Sequence, residues 1–203
     1  MTTEESKREP TPKAEIMRSA KLLFQRYGFN KTTIEEIASN ARKSKTTLYQ
    51  IFSNKEEIFT EILLDEGRSL FDHVISEVSK QKNSASELKT YISTTISEAK
   101  KRLLLYSLLK GELKSILINH KQVKHDIDLF EKEVVKNIIY NGIQTGQFSN
   151  KYERYLDYIA YYVINFTRGV VLQLILDEDS NAHLKDDDIF EVLMNMMIKG
   201  LKD

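Results

Sequence analysis

The sequence predicts an all-α protein of about nine helices, in which a small domain of three helices is followed by a larger helical domain. Apolar residues recur along most of the 203-residue chain at the spacing of one helix face, and no stretch sustains the alternation of a half-buried strand. Both prolines lie at positions 10 and 12, and only seven glycines occur, so the remaining chain has few residues that break helices.

The first helix is expected to begin at Pro12 and to end near Tyr27. Thr11 can cap it, and proline is favoured at the first helical position because its missing N–H would have no partner there. Gly28 can take the left-handed conformation that ends a helix. The apolar stripe that should pack behind the next two helices comprises Ile16, Met17, Ala20, Leu23, Phe24 and Tyr27.

A helix-turn-helix motif is predicted over residues 33–52. Thr33 and Glu36 have the spacing of a capping box, which indicates the start of the first motif helix. Apolar residues then follow at the spacing of one helix face: Ile34, Ile37, Ala38 and Ala41.

The second motif helix is expected from Lys45 to Phe52, with Ser44 as its cap. This helix should bury Leu48 and Phe52 and expose its polar residues. Two short helices joined by a turn of this length are typical of DNA-binding proteins that insert the second helix into the major groove.

The exposed side chains of the second motif helix suit base and phosphate contacts. Lysine donates to guanine, glutamine can bridge adenine, and threonine offers both a hydroxyl and a methyl group. A solvated face of ordinary polar residues is the alternative, but the flanking architecture favours DNA binding. The candidate DNA-binding residues are Thr33, Lys43, Ser44, Lys45, Thr46, Thr47, Tyr49, Gln50 and Lys55.

The charge of the chain is unevenly distributed along the sequence. The formal net charge is zero, with 30 basic and 30 acidic residues. Between Pro10 and Lys55, however, nine lysines and arginines are opposed by three glutamates, which gives this segment a net charge of +6. An asymmetry of this kind indicates a polyanionic partner for the N-terminal part.

Residues 13–63 resemble the DNA-binding domain of the TetR family of bacterial transcriptional regulators. The rest of the chain is similar to the family only in its helical layout. The matching positions follow the order and spacing of the family: Ala20, Phe24, Gly28, Phe29, Thr33, Ile37, Ala38, Ser44, Lys45, Leu48, Tyr49, Phe52 and Lys55.

The resemblance implies a DNA-binding domain over residues 10–70, with its motif at 33–52, and an effector-binding and dimerisation domain over residues 71–203. It also implies a cytoplasmic, ligand-responsive, sequence-specific DNA-binding transcriptional regulator. Most often such a protein is a repressor that acts as a dimer on a palindromic operator.

Three positions depart from the pattern of the family. Arg42 stands where glycine is usual, Lys43 where a small apolar residue is usual, and Ile51 where histidine or tyrosine is common. A left-handed backbone costs a residue with a Cβ roughly 1–2 kcal/mol. Either the turn is strained or shaped differently, with Asn40 taking that conformation, or the two cations lie over the DNA backbone. The second explanation is favoured because Lys43 adds to the charge of Lys45.

Six more helices are expected, over about residues 55–80, 86–101, 102–118, 122–144, 158–176 and 189–201. Their apolar and aromatic residues can line a cavity for a small apolar or aromatic effector, or can simply form the core. The candidate effector-pocket residues are Tyr91, Tyr106, Leu109, Leu113, Phe130, Val134, Tyr162 and Phe166.

Two C-terminal segments are strongly apolar. Residues 158–176 resemble a membrane span, but Arg168 near their middle would cost about 2.5–3.5 kcal/mol in a bilayer, so no membrane partner is expected. Residues 189–201 are apolar nearly all round and must be buried on several sides. A second copy of the chain is the expected partner, as the family resemblance also implies, through Tyr155, Ile159, Val163, Val170, Ile189, Phe190, Leu193 and Met197.

No catalytic, metal or cofactor site is predicted. The four histidines lack the spacing of metal ligands, cysteine is absent, and no phosphate-binding glycine pattern occurs. The chain is therefore interpreted as a non-enzyme whose partners are double-stranded operator DNA, a second copy and a small effector. The alternative is a helical protein-interaction module that binds nucleic acid weakly and without sequence preference.

Overall fold

The computed structural model describes residues 10–105, 121–176 and 187–202. Within these ranges the chain forms α-helices and one 3-10 helix, and no strand, so the all-α prediction is confirmed. The elements are α1 (Pro12–Tyr27), α2 (Ile34–Asn40), α3 (Lys45–Ile51), α4 (Lys55–Val78), α5 (Ser84–Leu105), α6 (Lys121–Gln144), the 3-10 helix (Asn150–Tyr155), α7 (Leu156–Leu176) and α8 (Asp187–Lys202).

The fifth helix is longer than the sequence predicts. The expected break after Lys101 is wrong, because α5 continues to Leu105. Residues 100–105 contain no helix breaker, and Arg102 donates to Glu98 one turn earlier at 2.7 Å, which supports a continuous helix. The remainder of the helix predicted to end near residue 118, including Tyr106, Leu109 and Leu113, lies outside the described residues.

The described residues divide into two compact units, 10–67 with Leu105, and 68–104 with 121–176 and 187–202, so that α4 is divided between Gly67 and Arg68. The first unit contains α1, α2, α3 and the start of α4. At its centre, the rings of Phe24, Phe29 and Phe59 lie 5.1–5.4 Å apart. Tilted and edge-on contacts between buried rings at this distance stabilise a small core beyond the area that they bury.

The second unit has a larger apolar core, contributed by α4 to α8 and the loop after α6. Tyr91, Ile92 and Leu88 of α5 are fully buried there, and α6 packs most extensively against α7 among the described helices. The loop after α6 is anchored by Phe148, which is buried, and by the N–H of Ser149, which donates to the Leu201 carbonyl of α8 at 2.8 Å.

The most apolar stretch of the described chain lies in α7. This helix spans 21 residues, but neither it nor any other helix in the described ranges combines the length and the apolar character needed to cross a bilayer. Arg168 and Asp157 interrupt its apolar sequence.

Candidate nucleic-acid interface

The first motif helix begins with the predicted capping box. The N–H of Glu36 donates to the Thr33 hydroxyl at 3.2 Å, and the N–H of Thr33 donates to the Glu36 carboxylate at 2.8 Å. The N–H and the hydroxyl of Thr33 both donate to the Glu36 carboxylate, and these two hydrogen bonds lower the pKa of Glu36 because they stabilise its charged form. Ile37 and Ala38 are buried, so the cap fixes the direction in which α2 enters the core of the first unit.

A Schellman turn joins α2 to α3, and Arg42 occupies its left-handed position. The Arg42 N–H donates to the Ser39 carbonyl at 3.1 Å, and the Lys43 N–H donates to the Ala38 carbonyl at 2.9 Å. The φ angle of Arg42 is +54°, in the region that glycine adopts most easily. The suggestion that Asn40 takes this conformation is wrong, because Asn40 is the last residue of α2.

The second motif helix presents most of the predicted polar side chains. Ser44 caps α3 by accepting a hydrogen bond from the Thr47 N–H at 3.0 Å. Leu48 is fully buried beneath the helix, whereas Tyr49 is 54% exposed. The exposed face also carries Lys45, Thr46 and Gln50.

Thr47 is less exposed than the sequence predicted. Its side chain is only half exposed, and its hydroxyl lies 2.9 Å from the Ser44 hydroxyl. Both hydroxyls therefore serve the start of α3, which makes Thr47 part of the local cap as well as a candidate contact.

Two lysines beside the α3 cap form ion pairs with glutamates. The ammonium of Lys43 lies 2.5 Å from the Glu15 carboxylate of α1, and that of Lys45 lies 2.5 Å from the Glu35 carboxylate of α2. The hydrogen bond from Lys45 lowers the pKa of Glu35. Glu15 and Glu35 were counted in the charge of this segment, but their pairing with the two lysines was not predicted. The pairing of Glu35 could have been suspected from the sequence, because Glu35 lies in the first turn of α2, the helix that precedes the basic turn of the motif.

Lys55 has an internal role in the described structure. Its ammonium donates to the backbone carbonyls of Phe29 at 2.8 Å and Thr32 at 2.9 Å, and lies 4.3 Å from the centre of the Phe29 ring. These contacts hold the start of α4 against the segment between α1 and α2. The phosphate contact expected of Lys55 stays a prediction, and any such contact must compete with the two carbonyls.

The net positive charge predicted for the N-terminal part depends on where the segment ends. Residues 56–67 add five carboxylates and no cation, so residues 10–67 contain nine basic and eight acidic side chains, a net charge of +1. Two further lysines of α1 are paired with α4, Lys13 with Glu61 and Lys21 with Glu66. The first unit is therefore nearly neutral, with much of its positive charge balanced by adjacent glutamates.

The candidate effector-pocket residues do not form one lining in the described part of the chain. Tyr91 is buried, Val134 and Phe166 pack against the second core, and Phe130 and Tyr162 are 60% and 67% exposed. The ring of Phe130 instead packs against that of Phe71 at 5.1 Å. Exposure of this degree places Phe130 and Tyr162 on the outside of the described helices, which disagrees with a lining role.

A buried polar cluster lies in the second unit where the prediction expected only apolar residues. The Tyr91 hydroxyl of α5 and the Arg168 guanidinium of α7 each donate to the Glu131 carboxylate of α6. Glu131 is 6% exposed, and burial together with this carboxylate raises the pKa of Tyr91 well above its usual range. The missed signal was that Glu131 occupies the apolar stripe of α6, one turn before Val135.

The predicted dimerisation residues have mixed exposure in the single chain. Tyr155 and Leu193 are exposed, and Ile159, Val170 and Met197 are half-buried. Val163 is 4% exposed and belongs to the core of its own chain, so it is not available to a partner. The side chains of Ile189 and Phe190 lie outside the described set.

Other residues of α7 and α8 form exposed stripes that the prediction did not name. On α7 the stripe follows helical spacing and comprises Tyr158, Tyr161, Tyr162, Asn165 and Gly169. On α8 the exposed apolar side chains are Val192, Leu193 and Met196. A Cβ built on Gly169 would meet no heavy atom within 4 Å beyond its chain neighbours and the backbone of its own helix, so this part of α7 has open space in front of it.

Comparison with known proteins supports the interpretation of the motif. Residues 16–62 match the family described as bacterial regulatory proteins, tetR family. The chain is 25% identical over 178 residues to the uncharacterized HTH-type transcriptional regulator YfiR of Bacillus subtilis (strain 168), covering 83% of this chain and 82% of the relative.

Solved structures share the fold over nearly the whole chain. A transcriptional regulator from Cytophaga hutchinsonii ATCC 33406 is 26% identical, with a TM-score of 0.69 over 93% of this chain and 97% of that one. The transcriptional regulator FadR from Bacillus subtilis, solved in complex with stearoyl-CoA, is 17% identical, with a TM-score of 0.63 and coverage of 93% and 97%. The capped helix-turn-helix, the family match over it and the shared fold lead to one conclusion: residues 16–62 match the TetR family of bacterial transcriptional regulators, and the whole chain is similar in fold to transcriptional regulators.

Proposed function

We propose that this regulator is a ligand-responsive repressor that binds a palindromic operator as a dimer. We assign DNA binding to residues 10–70, and effector binding and dimerisation to residues 71–203. The observation that carries the proposal is the geometry of α3, in which buried Leu48 anchors the helix while Lys45, Tyr49 and Gln50 face outward from a capped start. A recognition helix needs this combination of a fixed inner face and a polar outer face.

The exposed stripes of α7 and α8 support the dimer. Exposed apolar patches of this kind mark interaction sites in soluble proteins. A two-fold pair of such stripes gives a self-complementary interface, because the same surface of each copy meets the other. Two recognition helices about 34–36 Å apart would then read two half-sites one helical turn apart on a palindrome.

An apolar effector is proposed for the second unit. Its core is apolar and helical, and the FadR protein with a similar fold was solved with stearoyl-CoA, a ligand with a long apolar chain. Binding of such an effector lowers operator affinity only if the effector prefers the conformation in which the two α3 helices cannot span both half-sites.

Selection of bound duplexes from a random pool tests the operator and the dimer together. The expected result is an inverted repeat with a half-site spacing of about 10 base pairs, or a multiple of it. Tyr49→Ala should then weaken binding to the selected operator by about 1–3 kcal/mol and leave thermal unfolding unchanged, because more than half of this side chain is exposed. Recovery of unrelated, asymmetric sequences would contradict the proposal.

A protein-interaction module with weak nucleic-acid binding is the second candidate function. The observations in its favour are the exposed apolar stripes and the near neutrality of the first unit. The same selection separates the two functions, since an interaction module would bind any duplex equally and would lose that binding steeply as salt rises.

A further inference from the structure

The electrostatics of the motif lead to an inference that rests on the proposed DNA binding. Lys43 and Lys45 flank Ser44, which caps the recognition helix α3. Each of these lysines lies 2.5 Å from a glutamate that belongs to a different helix. Two carboxylates from separate elements therefore converge on the two cations beside the capped start of α3.

We propose that Glu15 and Glu35 are specificity-determining residues that suppress sequence-independent binding to DNA. Each one holds a motif lysine and competes with the phosphates for it. A lysine that is already paired releases fewer counterions when it reaches a phosphate, because the pair is nearly neutral before DNA arrives. Sequence-independent binding consists almost entirely of this electrostatic contribution, so the pairing weakens it more than it weakens binding to the operator.

The two pairs differ in exposure, which assigns them different parts of this role. The Lys43 and Glu15 side chains are 27% and 25% exposed, so this pair also ties α1 to the motif turn. The Lys45 and Glu35 side chains are 56% and 54% exposed, and a pair so open to water holds its lysine only weakly. Lys45 is therefore the more easily transferred to DNA, whereas Lys43 is retained more firmly by Glu15.

The neutral first unit fits the same role. Residues 10–67 have a net charge of only +1, so the unit lacks a broad positive field that would attract any duplex. Operator binding then depends on contacts that only the correct sequence supplies, such as base-edge contacts from the exposed face of α3.

The test compares two double variants that change the net charge equally. Glu15→Gln with Glu35→Gln frees the two motif lysines. Glu61→Gln with Glu66→Gln is the matched control, because it frees Lys13 and Lys21, which lie on α1 outside the motif. Affinity for a random-sequence duplex is measured by fluorescence anisotropy between about 50 and 200 mM salt, a range over which phosphate contacts weaken strongly.

The motif variant should bind the random duplex more tightly, by on the order of tenfold at 200 mM salt, and its plot of log affinity against log salt should steepen by up to about 1.8, the value for two fully freed lysines. The control should show less than half of that change in slope. Circular dichroism melting of both variants verifies that each is folded at the assay temperature.

Three outcomes overturn the inference. An unchanged salt slope in the folded motif variant would show that the glutamates do not compete with phosphates. Equal steepening in the control would show a general effect of net charge. If neither the natural protein nor any variant binds a duplex at low salt, DNA binding itself fails, and the inference fails with it. Single variants separate the two glutamates: Glu15→Gln should change the salt slope more than Glu35→Gln, because Glu15 retains its lysine more firmly.

Discussion

Arg42 has a strained backbone, because the Schellman turn requires a left-handed conformation at its position. Its φ of +54° is forced by the two hydrogen bonds that close the turn, from its own N–H and from that of Lys43. A Cβ in the left-handed region costs roughly 1–2 kcal/mol. The turn therefore retains some strain beside the candidate DNA-binding surface.

Arg42→Gly should stabilise the protein by about 0.5–1 kcal/mol in the free energy of unfolding. Relief of the left-handed strain is partly offset by the greater backbone entropy that glycine has in the unfolded chain. Denaturant titration measures the change, and Arg42→Ala is the control because it removes the charge but keeps the Cβ. Equal stabilisation by both substitutions would assign the effect to charge and contradict a strained backbone.

Some residues of the motif could be predicted from the sequence because their partners are local. Thr33 and Glu36 are three residues apart, and so are Ser44 and Thr47, which makes both caps visible as spacing. The pairing of Lys43 with Glu15, however, spans 28 positions in the sequence and depends on how α1 packs. No local pattern contains that information, and for the same reason the carbonyl partners of Lys55 were missed.

The loop that follows α6 packs closely against Gly142, near the C-terminal end of that helix. The N–H groups of Gln147 and Phe148 both donate to the Gly142 carbonyl, at 2.8 and 3.0 Å. The buried Phe148 ring is folded back onto the same residue, and a Cβ on Gly142 would lie 2.2 Å from it. Gly142 thus allows the loop after α6 to close over the second core.

Gly142→Ala should destabilise the protein by about 1–3 kcal/mol, because a buried aromatic ring has to move to admit the methyl group. Tyr140→Ala is the companion variant, since this α6 side chain is 42% exposed and its removal disturbs no core contact of that kind. Both are measured by thermal melting. A Gly142→Ala protein with unaltered stability would mean that the loop does not pack on α6 as described.

The buried cluster of Tyr91, Glu131 and Arg168 ties α5, α6 and α7 together through one carboxylate. Helix periodicity predicted these helices but could not reveal the cluster, because its members come from three separate segments. Removing one member of a buried ion pair leaves a charge without compensation, whereas replacing all members by apolar groups is often neutral.

Arg168→Met should therefore cost on the order of 3 kcal/mol in the free energy of unfolding. The triple variant Tyr91→Phe, Glu131→Leu and Arg168→Met should cost less than this single change. Urea titrations of the three single variants and of the triple variant measure the difference. If the triple variant loses as much free energy of unfolding as the three single variants together, the side chains contribute independently and the cluster is not coupled.

The sequence predicted the all-α class of the protein, and the order and most of the bounds of the described helices. The reason is that hydrophobic periodicity and caps are local properties of the chain. Which faces of α7 and α8 lie inside was not predictable, because both helices are apolar on several sides. Val163 was assigned to the interface and is in the core, whereas the exposed Tyr158 and Met196 were not assigned to it.

Dimerisation through α7 and α8 can be tested at two exposed side chains. Tyr162 and Leu193 are 67% and 45% exposed, one on each helix, so changing them should not disturb the core of the chain. Tyr162→Glu with Leu193→Glu should bring like charges together in a two-fold interface and separate the copies. Sedimentation at micromolar concentration should then give the 23.6 kDa mass of one chain, whereas the natural protein should give twice that mass.

Tyr140→Glu is the control for this variant, because it adds a charge at an exposed aromatic residue of α6 and should leave the dimer intact. The separated protein should also lose most of its affinity for a two-half-site operator, since each copy then binds one half-site alone. A double variant that stays at twice the chain mass, or a natural protein that sediments as a single chain, would place the dimer interface elsewhere or exclude it.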